Sequence, residues 1–311
     1  MHEGSLIRGS GKLTQMEHES LQKLADKVVE DHRKMRLFQL RQFIKQRSAV
    51  LALCVLTITV IAALLGPLIA PYPEQGMGEV NVSERLQGPS SGHLLGTDIY
   101  GRDILSRIVC GARVSVFGGM FIVFSAALIG VPLGLWAGYS EGIPGAVITR
   151  LVELFLSFPS VLIAMAISIV VGAGPFTALI ALVIPWWPWY TRLVMGEVLS
   201  KKRLLYVEAA QMLGYGRVYI MLRHLLPNIL TPVIVMILLD LGPAIIAIGL
   251  LSFLGLGTQP PQADWGLMVW EGAQNILSEW WIAIVPGCAM FIVVTAFNIF
   301  GDAVKDILSP N

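Results

Sequence analysis

Six apolar stretches, each close to the length needed to cross a lipid bilayer, constrain this chain more than any other feature. They run roughly Ala49–Ala70, Val114–Gly138, Leu151–Val171, Phe176–Met195, Ile229–Leu256 and Trp280–Phe300. A hydrocarbon core about 30 Å thick takes about 20 apolar helical residues to span. Within it every backbone N–H and C=O needs an internal partner, so only helices and closed barrels cross. Barrel strands would be shorter and would alternate. Continuous runs of this length therefore predict an all-α membrane protein with six spanning helices. The third and fourth runs are parted only by Gly172-Ala173-Gly174-Pro175, a breaker sequence that predicts a tight helical hairpin. Charge content points the same way: 14% of 311 residues are charged and 55% are hydrophobic, whereas soluble domains carry about 25% charge. A disordered chain, a disulfide scaffold and a single soluble domain are excluded. The net charge of +1 gives no electrostatic case for a nucleic-acid partner.

Lysine and arginine set the orientation of such a bundle. Residues 1–48 carry Arg8, Lys12, Lys23, Lys27, Arg33, Lys34, Arg36, Arg41, Lys45 and Arg47, and residues 196–228 carry Lys201, Lys202, Arg203, Arg217 and Arg223. The connections between spans three and four and between spans five and six carry neither. Both termini are thus expected in the cytoplasm. Residues 71–113 are then extracytoplasmic, despite Arg85, Arg102, Arg107 and Arg113. The chain divides into a cytoplasmic N-terminal segment, 1–48, and a transmembrane domain, 49–311. Residues 17–31 place Leu21, Leu24, Val28 and Val29 at helical spacing. Residues 33–47 interleave basic and apolar side chains, as either a helix on the inner membrane surface or a basic anchor that fixes orientation. A long polar stretch before a full-length apolar run is not the layout of a cleavable signal peptide.

Enzyme signatures do not occur: there is no HExxH, no GxSxG and no paired-cysteine metal spacing. Gly9-Ser10-Gly11-Lys12 fails as a phosphate loop, because Leu13 replaces the required Ser/Thr and Leu6 stands where the first glycine belongs. ATP is not expected on this chain. Cys54 and Cys288 lie in apolar runs, where cysteine acts as a small hydrophobe.

The segment 196–228 is the most informative. Glu208-Ala209-Ala210 opens a stretch of good helix formers that Gly214 breaks, and a second helical stretch, Val218–Leu226, ends at Pro227. Two short helices around a glycine would form a protrusion that a partner cleft can grip. The spacing Glu208-Ala209-Ala210, Gly214, His224, Leu226-Pro227 resembles the EAA loop of ABC importer permeases. His224 stands where that motif usually has an aliphatic residue, a departure common in the peptide branch. His93-Leu94-Leu95-Gly96-Thr97-Asp98, with Gly101-Arg102-Asp103, Ser106-Arg107 and Gly111-Ala112-Arg113, is similar to the signature of the dipeptide/oligopeptide/nickel permease family, and within it the C-type subunit. Ser252–Pro261 with Trp265-Gly266, and Phe297-Asn298 with Gly301-Asp302, also resemble that family; Ala263 and Ser309 depart from it.

The resemblance implies a type I ABC importer transmembrane domain with six helices in the plasma (inner) membrane. It implies that the chain is not itself an enzyme. Its partners would be a homologous second permease, two ABC ATPase subunits that carry ATP and Mg, and an extracytoplasmic substrate-binding protein. In that family the EAA loop inserts into the ATPase: Glu208 would pair with a basic group there, Ala209 and Ala210 would permit close approach, and Gly214 would set the bend. Di- and oligopeptides are the implied substrates, with nickel chelates, glutathione or oligosaccharides as alternatives. An ATP-independent channel or secondary carrier is the rival from another class. It predicts charges inside several spans, and only Asp240 lies deep.

Asp240 falls near the centre of span five, where a charge costs about 2.5–3.5 kcal/mol on insertion scales. It is read as lining the translocation path and meeting a cationic group, or as protonated or satisfied at a subunit interface. Pro185-Trp186-Trp187-Pro188-Trp189-Tyr190 removes helix donors in span four. Trp186 and Trp189 are candidates for the path, with interfacial anchoring as the alternative. Arg102, Asp103, Arg107 and Arg113 are expected to pair locally, supporting the fold more than contacting ligand. Arg150 and Glu153 share a helix face three residues apart.

Overall fold

The computed structural model describes residues 44–140 and 142–308. The helix expected at 17–31 and nearly all of the basic stretch 33–47 lie outside them, as does Ser309. The chain separates into two units, Met1–Val50 and Leu51–Asn311, and the packing below is that of the second. Its elements are α1 (Arg47–Ile69), α2 (Pro73–Met77), a 3-10 turn (Val82–Glu84), α3 (Ile104–Tyr139), α4 (Ile143–Leu156), α5 (Ser160–Val171), α6 (Pro175–Lys201), α7 (Leu205–Met212), α8 (Arg217–Phe253), α9 (Trp265–Ala273) and α10 (Trp281–Leu308). Among the described residues the only β pairing is an isolated bridge between Thr97 and Asp103.

Five helices, α1, α3, α6, α8 and α10, are long and apolar enough to cross a bilayer. The third expected span is not one straight rod. α4 and α5 meet at 87° across a short break, and the pair together makes a sixth candidate span. The break falls at Ser157-Phe158-Pro159 because proline disfavours the helical conformation in the residue before it. Pro159 then sits at the N-cap of α5. The hairpin between α5 and α6 forms as its turn sequence requires, with Gly172 at φ +111° and Pro175 opening α6.

The central seam is α3 against α6. Gly130, Gly134 and Gly138 recur every four residues on α3, and a Cβ at each would lie 2.5–2.7 Å from Trp187 O, Thr191 O and Val198 Cβ respectively. Small residues at this spacing let two backbones approach closely, which in lipid is the chief source of helix association. Thr191 Oγ1 donates across the seam to Gly130 O at 3.1 Å. Ile122, Val123, Ala126, Leu182, Ile245 and Ile248 fill the surrounding core.

Span five begins earlier than its hydropathy suggests. The expected end of a short helix at Pro227 is corrected: Arg217–Phe253 runs as one helix, with a π turn over Ile220–Leu225. The wider turn bonds Leu226 N–H to Met221 O, and Pro227 follows in the first turn of the regular segment, where no donor is missed. Asn228 Nδ2 also donates to His224 O at 2.6 Å, tying the π turn to the regular helix that follows.

Candidate functional site

The segment between α6 and α8 is built to protrude. α7 ends in a full Schellman motif: Gly214 N–H bonds Gln211 O at 3.0 Å, and Tyr215 N–H bonds Ala210 O at 3.2 Å. Gly214 holds φ +81°, and no atom would lie within 4 Å of a Cβ there. The glycine is therefore required by backbone conformation and not by space. Val207 and Ala210 bury one side of α7 against Ile220, Met221 and Leu225. Glu208, Ala209, Gly214 and Pro227 are exposed, while His224 and Leu226 are half-buried. Leu205 and Met212, 83% and 87% exposed, present apolar surface that the chain leaves uncovered. Tyr215 and Tyr219 stack at 4.7 Å, and His224 meets Tyr219 edge-on at 5.7 Å. A cavity of about 450 Å³ opens beside α7, with Lys202, Arg203, Glu208, Gln211 and Arg217 among its walls. One short helix thus offers a carboxylate, apolar side chains and flanking cations on a rigid knob.

Asp240 and the two tryptophans lie elsewhere, in the bundle. Trp186 Nε1 donates to Asp240 Oδ2 at 3.3 Å. Trp189 is exposed. The sequence alone did not single out Tyr190, which is fully buried with its hydroxyl facing Asp240. Its position one turn beyond Trp186 was the available signal.

The Gly96–Asp103 motif forms a buried polar knot. Asp98 accepts from Arg102 Nε at 2.6 Å, and Asp103 caps α3 by accepting from Ser106 N–H at 2.8 Å. His93 bridges Asp103 Oδ1 (2.9 Å) and Glu84 Oε2 (3.3 Å). Thr97 Oγ1 donates to Glu84 O at 2.5 Å. Gly101, at φ +78°, lies so close to Asn81 O that no side chain fits, and Gly96 turns at φ +80° against Trp281. The partner that sequence reasoning missed is Glu271 in α9, which accepts from Arg102 Nη2 (2.9 Å) and Arg107 Nη2 (3.2 Å). Asp98, Arg102, Asp103, Arg107 and Glu271 are all almost fully buried. Arg113 stands apart and exposed. Arg150 and Glu153 pair at 2.7 Å on an exposed face.

Nearby, Asp264 caps α9 by accepting from Leu267 N–H at 3.0 Å. Burial pushes its carboxyl up to about 6, against the opposing pull of its hydrogen bonds. No group of three His, Cys, Asp or Glu side chains among the described residues can hold a metal.

An all-helical membrane bundle with a buried glycine seam and a rigid knob on the α6–α8 connection defines a permease-type transmembrane subunit. Residues 130–311 match the model of the binding-protein-dependent transport system inner membrane component, and residues 36–89 match the N-terminal transmembrane domain of oligopeptide transport permease C. The chain belongs to the binding-protein-dependent transport system permease family of ABC importers. It is 40% identical over 270 residues to the dipeptide transport system permease protein DppC of Alkalihalophilus pseudofirmus, covering 87% of this chain and 88% of that one. It is 38% identical to the glutathione transport system permease protein GsiD of Pectobacterium atrosepticum (87% and 89% covered). It is 36% identical to the probable D,D-dipeptide transport system permease protein DdpC of Escherichia coli (82% and 85% covered). The fold is that of a chain in the inward-facing MetNI methionine ABC transporter, with TM-score 0.53 and 17% identity over 65% of this chain and 96% of that one. The ATP-independent channel or carrier is thereby set aside.

Proposed function

We propose that this chain forms half of the translocation path of a di- and oligopeptide importer, in a heterodimer with a homologous second permease. Both termini and the α7 knob face the cytoplasm. Two ATPase subunits, holding ATP and Mg, grip the Glu208–Pro227 loops, and an extracytoplasmic binding protein delivers substrate at the opposite end. ATP binding closes the ATPase pair and draws the two knobs together. The spans rock outward, and hydrolysis resets them. The chain itself contributes no hydrolytic chemistry. Asp240, Trp186 and Trp189 line the path, and the Gly96–Asp103 knot braces the outer end.

The exposed knob carries this reading: Glu208 and Met212 project from a helix whose end is fixed by Gly214 and whose base is packed on the π turn. Glutathione is the second reading, favoured by the similarity to GsiD. The test is uptake of a labelled dipeptide and of glutathione by the complex assembled with its ATPase and binding protein. Dipeptide uptake that Glu208→Gln abolishes, with the protein still inserted, is expected. Wild-type uptake by that variant would refute the coupling role, and glutathione uptake alone would replace the substrate.

A further inference from the structure

The middle of α8 holds a carboxyl that, among the described residues, has no cationic partner. Asp240 is half-buried between Leu239 and Leu241. A carboxylate offers about four acceptor sites, yet the hydrogen bond Asp240 accepts from Trp186 is long, at 3.3 Å. No ion pair joins it to a lysine, arginine or histidine among the described residues. Tyr190 lies beside it, 0% exposed, with its hydroxyl facing the Asp240 carboxyl. Two polar groups thus converge at bilayer depth with spare hydrogen-bonding capacity. Leaving hydrogen-bonding capacity unused at this depth is costly, and more so for a charge. Trp186 and Trp189 lie three residues apart on the same helix as Tyr190, and Asp240 and Trp186 are each only half-buried.

The chemistry selects the ligand. A divalent cation wants six or more oxygens, and only one carboxylate is present. A primary ammonium has three donors and one charge. It suits one carboxylate and one phenol oxygen that can accept from it. The geometry points to Asp240, Tyr190 and Trp186 as a way station for the α-ammonium of the transported substrate. This rests on the peptide reading above and sharpens it. Dipeptides and glutathione carry that group, whereas an oligosaccharide does not.

Two measurements on the assembled complex test the assignment. In the first, uptake of a dipeptide with a free amine is compared with uptake of its N-acetylated form. Asp240→Asn should lower uptake of the free-amine peptide about tenfold more than it lowers uptake of the acetylated form. Tyr190→Phe should have the same selectivity with a smaller loss. In the second, propylammonium is titrated against tryptophan fluorescence. A saturable change is expected that is lost in both Trp186→Phe and Asp240→Asn.

Equal loss of both peptides in Asp240→Asn and Tyr190→Phe, or unchanged uptake of both, overturns the ammonium site. So does a fluorescence response that survives either substitution. A wild-type complex that moves no peptide but shows the Asp240-dependent response refutes the peptide reading and leaves the ammonium site standing.

Discussion

Gly214→Ala isolates what the knob's geometry is worth. Gly214 sits at φ +81° with open space around a Cβ, so alanine adds no clash and only the cost of the left-handed conformation. That cost is about 1–2 kcal/mol for an L-residue. Alanine must either carry this strain or unwind the Schellman turn, releasing the Gly214 and Tyr215 bonds that fix α7. One to two kcal/mol shifts a local equilibrium by a factor of roughly 5–30. A partner that binds only the ordered knob sees its apparent affinity fall by the populated fraction. Gly216→Ala is the matched control: Gly216 also has nothing within 4 Å, but its φ is −65°, which any residue adopts. The assay is the concentration of ATPase subunit needed for half-maximal uptake in liposomes. It should rise for Gly214→Ala, stay at the wild-type value for Gly216→Ala, and be partly restored by Gly214→Asn, since asparagine tolerates this region. Identical behaviour of the two alanine variants would refute the argument that backbone conformation at Gly214 sets coupling.

Two further predictions concern the polar end of the bundle. Glu271→Gln strips the buried carboxylate shared by Arg102 and Arg107; breaking a buried pair costs about 3–5 kcal/mol, so thermal unfolding in detergent should fall by about 10 °C, and an unchanged melting temperature would contradict the role assigned to the knot. Asp264 gives a pH signature: its carboxyl is raised from 3.8 to about 6 in the folded chain, so its contribution to stability is fully present below about pH 4 and is lost as pH rises through about 6, a span worth about 3 kcal/mol. Asp264→Asn should keep the cap and remove this slope, and matching melting-versus-pH curves for variant and wild type between pH 4 and 7 would exclude it.

What the sequence disclosed, and what it hid, follows from the range of the interactions involved. Span lengths, the Gly172–Pro175 turn and the Gly214 stop are local, so hydropathy and turn chemistry display them directly. The Arg102–Asp98 pair spans four residues and is legible for the same reason. Glu271 lies 169 residues from Arg102, and no periodicity connects the two; its only trace was its place, with Asp264 and Glu279, in a connection free of lysine and arginine. Gly130, Gly134 and Gly138 were readable as a four-residue repeat, but the hydropathy of the same stretch masked it, because an apolar window accepts glycine without comment. Pro227 misled in the opposite direction. Proline forbids the regular donor but not a helix that has already widened into a π turn, and that turn depends on Val207 and Ala210 packing against Ile220, Met221 and Leu225. The knob and span five are therefore one mechanical piece. That packed corner joins α7 to α8, and 13 residues beyond Pro227 the same helix carries Asp240. The knob thus packs on the same continuous helix that carries Asp240, and a loop motif read alone gives no sign of that.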